Sequence, residues 1–169
     1  MYSKMLVPVD GSAPSKLALD EAIKLAQALK ASVRLVHVVE ARSLMMSEPT
    51  AASYETLFEV LRRDGAQLLL DAAATTAHAG IIVDTALVEA TDLQVGECIV
   101  RKAREYHTDL IVCGTHGRRG VRRLLMGSDA DYIVRHAPVP VLMIRTPDTA
   151  SERPMAAAGT RHADGRCVS

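Results

Sequence analysis

The stretch DLIVCGTHGRRGVRRLLMGSDADYIVRHAPVPVLMIR, residues 109–145, restricts this chain more than any other, because it sets glycine-rich turns at both ends of one basic loop. It reads as strand, loop, helix, strand. Leu110 to Cys113 is a short apolar run suited to a buried parallel strand. Gly114 and Gly117 then break it with residues that accept positive φ and let a ligand touch the backbone. The spacing Gly114-x2-Gly117-x9-Gly127-Ser128 lets the loop fold back, so that free amides of both turns surround one set of phosphates, the second at a helix start.

The segments upstream repeat the same alternation. Lys4 to Val9 reads as a strand, with Pro8 near its end, and Ser12 is placed to cap a helix that has Pro14 in its first turn. Ala18, Ala22, Leu25, Ala26 and Leu29 form the apolar stripe of that helix, and the β-branched run Val33 to Val39 follows. Glu40 to Tyr54 lacks a period and reads as a flexible connection, a lid or a surface loop. Glu55 to His78 is helical in pattern, weakened by Gly65 by roughly 1 kcal/mol relative to alanine. After Gly80, Ile81 to Glu89 is a third strand, and Gly96 to His107 is a helix with Cys98, Ile99, Ala103 and Tyr106 inward.

Strands alternating with helices predict an α/β fold, a doubly wound, five-stranded parallel sheet with right-handed crossovers and helices on both faces. In such sheets ligands sit outside the carboxyl ends of the strands, where the strand order reverses. Asp10 and Gly114 both fall at carboxyl ends, on segments far apart in sequence.

At 169 residues there is room for one domain, expected over 1–146, followed by a polar stretch, 147–169, that reads as a disordered tail. Acidic and basic residues balance at 20 each, which gives no general attraction to nucleic acid or anionic membranes. Tryptophan is absent and Phe58 is the single phenylalanine, so stacking platforms for single-stranded nucleic acid are largely missing. No run is long enough for a signal peptide or a membrane span, and a cytoplasmic protein is expected. Cys98 and Cys113 read as buried thiols, and with Cys167 they show no metal-ligand spacing. Arg118, Arg119, Arg122 and Arg123 form a basic patch that is either a solvated face or a guide for polyphosphate.

Several of these motifs together resemble the universal stress protein family: Met5-Leu-Val-Pro-Val-Asp-Gly-Ser12, Leu35-Val-His-Val-Val39, the glycine spacing, and His136-Ala-Pro-Val-Pro-Val-Leu142. The resemblance covers about residues 1 to 146 and implies the strand order 3-2-1-4-5. It also implies an ATP site, with or without Mg²⁺, made by Pro8, Val9, Asp10, Val38, Gly114, Gly117, Met126, Gly127, Ser128 and Asp129. Asp10 would meet the polar groups of adenosine, or else form an Asx turn to Ser12 or Ala13. Val38 would offer its backbone to adenine, or simply pack. His116 either contacts phosphate or stays solvated. Asp129 departs from the family's common pattern, which often has a small apolar or hydroxyl residue there; a carboxylate in the first helical turn favours the helix dipole but either repels phosphate or holds Mg²⁺.

No Walker lysine or Gly-x-Ser-x-Gly elbow is present, so no catalytic residue is assigned. The reading is a nucleotide-dependent regulatory module in the stress response; the resemblance also implies a homodimer through the last strand, Val139 to Arg145, whose apolar, β-branched character at an edge agrees with such pairing. The alternatives are a slow Mg²⁺-dependent ATPase and a dimeric interaction protein that no longer binds nucleotide.

Overall fold

The computed structural model describes residues 2–40, 51–90, 93–115 and 127–145, with 51–54 described by their backbone alone. Strands and helices alternate: β1 Lys4–Pro8, α1 Ala13–Leu29, β2 Ser32–Glu40, α2 Ala51–His78, β3 Val83–Ala90, α3 Val95–Glu105, β4 Leu110–Gly114, α4 Ser128–His136 and β5 Val141–Ile144. The strands form one sheet in the order β3-β2-β1-β4-β5, with every pairing parallel. The expected fold class and strand order are both found.

Met5, Leu6 and Val7 are wholly buried although they point alternately to opposite faces, because helices cover both sides of the sheet. Met5, Val7, Val33, Leu35, Leu110 and Val112 pack against Ala18, Leu19 and Ala22 of α1 and Leu69 and Ala72 of α2. On the other face, Leu6, Val36, Val88, Ile111 and Cys113 meet Cys98, Ile99 and Ala103 of α3 and Ile133 of α4.

Element ends follow local chemistry. Ser12 caps α1, its hydroxyl accepting from the Ser15 amide at 3.3 Å, with Pro14 in the first turn as expected. α1 closes at Lys30 with φ 54°, a left-handed conformation at a non-glycine residue that no glycine in the sequence foretells. α2 is already helical at Ala51, the first residue described after 50 and four residues before the point where the periodicity places its start. β3 starts at Val83 rather than Ile81: Gly80, at φ 78°, turns the chain, and Ile82 remains 81% exposed. β5 starts at Val141 rather than Val139, because Pro138 and Pro140 have no amide for the ladder; the Pro140 carbonyl still accepts from Ile111 at 3.1 Å. Most of the connection from Glu40 to Tyr54, at 41–50, and the tail at 147–169 lie outside the described residues.

The amino-terminal edge is tied by side chains. The Asp109 carboxylate accepts from the amide and hydroxyl of Ser3, at 2.8 and 2.9 Å, and from the Lys4 amide at 3.1 Å. At the same edge Arg34 stacks on Tyr106, 3.6 Å from the ring centre, and pairs with Asp84. Burial alone would raise the Asp109 pKa, but the hydrogen bonds from Ser3 and Lys4 outweigh it and hold the value below that of an ordinary aspartate. A depressed folded-state pKa contributes stability above the unfolded value, about 3.9, and that contribution disappears as pH falls through the folded value. Asp109→Asn is therefore expected to destabilise the chain at pH 7 and to lose less further stability on acidification below about pH 4 than the wild type does. Urea unfolding across that range checks it; curves that fall in parallel would show that the carboxylate contributes nothing specific.

Candidate functional site

β1 and β4 lie side by side at the point where the strand order reverses, and their ladder runs through Met5–Leu110 and Leu6–Ile111. β1 itself continues to Pro8 beside β2. At the carboxyl end of β4, Gly114 lies against the start of α1: a Cβ there would stand 2.8 Å from the carbonyl carbon and the Cβ of Pro14. Close packing against Pro14 thus calls for glycine at this position whether or not a ligand approaches.

The chain after β1 turns through Asp10 and Gly11, the latter at φ 81°. The Asp10 carboxylate accepts from the Ser12 amide at 2.9 Å, which is the Asx turn weighed above. The Asp10 amide donates to the Ser15 hydroxyl at 3.2 Å, and that hydroxyl donates to the Pro8 carbonyl at 3.3 Å. Ser15 is buried and was not singled out in the sequence; its distance from Ser12, within one helical turn, was the available signal. Val9 is buried, and its amide donates to Val36 at 2.9 Å. Val38 lies opposite Val88 in β2 and is half-buried, which fits packing and a backbone contact equally.

The residues flanking 116–126 are tied together. The Thr115 amide donates to the Ile144 carbonyl at 3.0 Å, and the Thr115 carbonyl accepts from the Gly127 amide at 3.0 Å. One expectation changes: the Gly127 amide is spent on Thr115 and is not offered to a ligand. α4 begins immediately after, and its first internal bond runs from the Asp131 amide to the Gly127 carbonyl at 2.9 Å. The amides of Ser128, Asp129 and Ala130 therefore have no partner within the helix and carry its positive pole. Gly117, Met126, His116 and the arginines Arg118, Arg119, Arg122 and Arg123 lie outside the described residues.

Asp129 has a structural partner. Its Oδ1 accepts from the Gly96 amide at 3.1 Å, in the first turn of α3, where the side chain of the N-cap residue Gln94 does not cap the helix. Gly96 leaves the room for this: a Cβ would stand 2.8 Å from the Asp129 carbonyl oxygen and 3.0 Å from the Cβ of Tyr132. Asp131 is paired with Arg135 at 2.8 Å. Cys113 touches Met143, sulfur to sulfur at 3.2 Å, and burial pushes its thiol up to about 12; Cys98 is also buried. Both therefore match the inert thiols expected of them. Among the described residues, no group of three or more His, Cys, Asp or Glu side chains could hold a metal ion, and no helix is long and apolar enough to cross a membrane.

The sequence model of the universal stress protein family matches residues 1–145. The chain belongs to the universal stress protein family. A universal stress protein of Methanocaldococcus jannaschii is 32% identical over 147 residues, which span 87% of this chain and 84% of the relative. A solved universal stress protein structure from Burkholderia pseudomallei superposes with a TM-score of 0.67 at 34% identity, covering 85% of this chain and 96% of the other. The universal stress protein of Archaeoglobus fulgidus, solved in complex with dAMP, has the same fold, with a TM-score of 0.61 at 22% identity over 85% of this chain and 98% of its own.

Removal of the Asp129 cap is expected to loosen the junction of α3 and α4 in this family member. Asp129→Ala should lower stability by about 0.5–2 kcal/mol, the usual cost of a lost helix cap, while Asp129→Asn, which keeps an accepting oxygen, should lose less. Equal melting temperatures for all three proteins would rule out the capping role.

Proposed function

We propose that this chain is an adenine-nucleotide-binding regulatory module of the cytoplasm, with residues 1–146 as its nucleotide domain, ATP as the working ligand, and a second copy of itself as partner. The observation that carries the reading is the bond between the Gly127 amide and the Thr115 carbonyl, 3.0 Å long, which joins the residues flanking 116–126 at the carboxyl edge. That junction stands beside the outward amides of α4, while Asp10 closes the neighbouring strand. A polyphosphate would meet Ser128 and its neighbours there, with the ribose and base towards Asp10 and Val38. The dAMP complex of the Archaeoglobus fulgidus relative supports the class of ligand.

Gly117 completes the phosphate turn in this reading. Gly117→Asp is expected to weaken ATP binding at least tenfold in calorimetric titration, through crowding and repulsion, while the melting temperature stays close to that of the wild type. Undiminished affinity in the folded variant would remove Gly117 from the site. The released ligand of freshly purified protein, identified by mass spectrometry, separates the functional classes: intact ATP supports the regulatory module, whereas protein-dependent conversion to ADP favours the slow ATPase.

The dimer is proposed through β5. It is an edge strand, and Val141, Leu142, Met143 and Ile144 are all half-buried in the single chain. A second copy added along that edge would satisfy its backbone and cover apolar side chains. Replacing Val141 and Ile144 with lysine should convert the dimer to monomer by light scattering; an unaltered mass would place the interface elsewhere.

A further inference from the structure

His37 is one of the few buried polar side chains among the described residues, 5% exposed, and it lies in β2 at the edge where Asp10 sits. Its Nδ1 stands 2.6 Å from the Val9 carbonyl oxygen. A carbonyl can only accept, so Nδ1 carries the proton. Val9 is the first residue past the end of β1 and directly precedes Asp10. Its amide is bound to Val36, so with the imidazole on its carbonyl both polar groups of this residue are fixed.

The ring occupies this place because α2 has no side chain at Gly65. A Cβ there would stand 2.5 Å from Cδ2 of His37, 3.0 Å from its Nε2, and 3.0 Å from Cδ1 of Leu87. One helical turn on, Leu68 of α2 lies against Gly11, 3.6 Å from the position of a Cβ. One face of α2 thus touches both the imidazole and the Asp10–Gly11 turn. The weakening that glycine brings to a helix interior is offset by the slot it opens.

We infer that His37 is a positioning residue for the nucleotide site: its Nδ1–H, seated in the slot of Gly65, fixes the Val9 carbonyl and so the direction in which Asp10 faces the ligand. The inference rests on the nucleotide reading above. It makes no use of imidazole titration; the group acts as a directional donor whose loss would leave a buried carbonyl without it.

Three variants and one spectrum test it. The amide of asparagine places its NH₂ where Nδ1 lies, and that of glutamine reaches towards Nε2. With AMP as the probe in calorimetric titration, His37→Asn is expected to bind within about twofold of the wild type, whereas His37→Gln and Gly65→Ala lose about three- to tenfold, the worth of one buried hydrogen bond. Circular dichroism confirms folding of each, and ¹⁵N spectra of the imidazole should show a protonated Nδ1 in the wild type. A bare Nδ1, or an asparagine variant that loses as much as the glutamine variant, overturns the inference while AMP binding by the wild type still stands. A wild-type chain that binds neither AMP nor ATP overturns the nucleotide reading itself, and the binding role of His37 with it.

Discussion

Parallel neighbours cannot be joined by a tight hairpin, and every strand in this sheet is parallel to the next, so each connection crosses over through a helix. Most of the architecture follows from that constraint. Each helix that follows a strand begins at the carboxyl edge, which brings the amide-bearing starts of α1, α3 and α4 to one side of the molecule. The same crossovers bury both faces of the sheet, which is why Met5, Leu6 and Val7 can all be apolar in succession. Where the order of winding reverses, between β1 and β4, no helix needs to cover the gap at the edge, and the chain spends its turns there.

Helix starts gathered in this way would repel one another if nothing intervened, since each carries a partial positive charge. Asp129 answers this between two of them. Its carboxylate belongs to the first turn of α4 and binds the first turn of α3, so a single negative group serves both poles. The acidic residue that looked ill-placed for phosphate therefore has a partner within the protein. Gly96 and Gly114 make comparable room for neighbours, the first for the backbone of α4 and the second for Pro14.

The fold was largely legible because its signals are local: β-branched runs, apolar stripes, and the capping serine before Pro14. The strand order came with the family resemblance. What escaped notice depends on contacts between distant segments. Gly65 read as a defect in α2 because the residue that needs its space, His37, is 28 positions away in the chain from nothing more suggestive than Val9, and only the fold brings all three together. Lys30 closes α1 in a conformation that favours glycine, because the tight return into β2 imposes it from outside the local sequence. The late start of β5 is an error of a smaller kind, set by the missing amides of Pro138 and Pro140.

The bond from Gly127 to Thr115 has one more consequence. It joins the residues on either side of 116–126 directly, and so fixes the two anchors between which that segment runs. The entropy of closing a loop grows only with the logarithm of its length, about 0.6 kcal/mol for each doubling. Segments of quite different length and charge can therefore be grafted between the same two anchors at little thermodynamic cost, and a single scaffold can diversify the surface it shows to other molecules without redesigning its core.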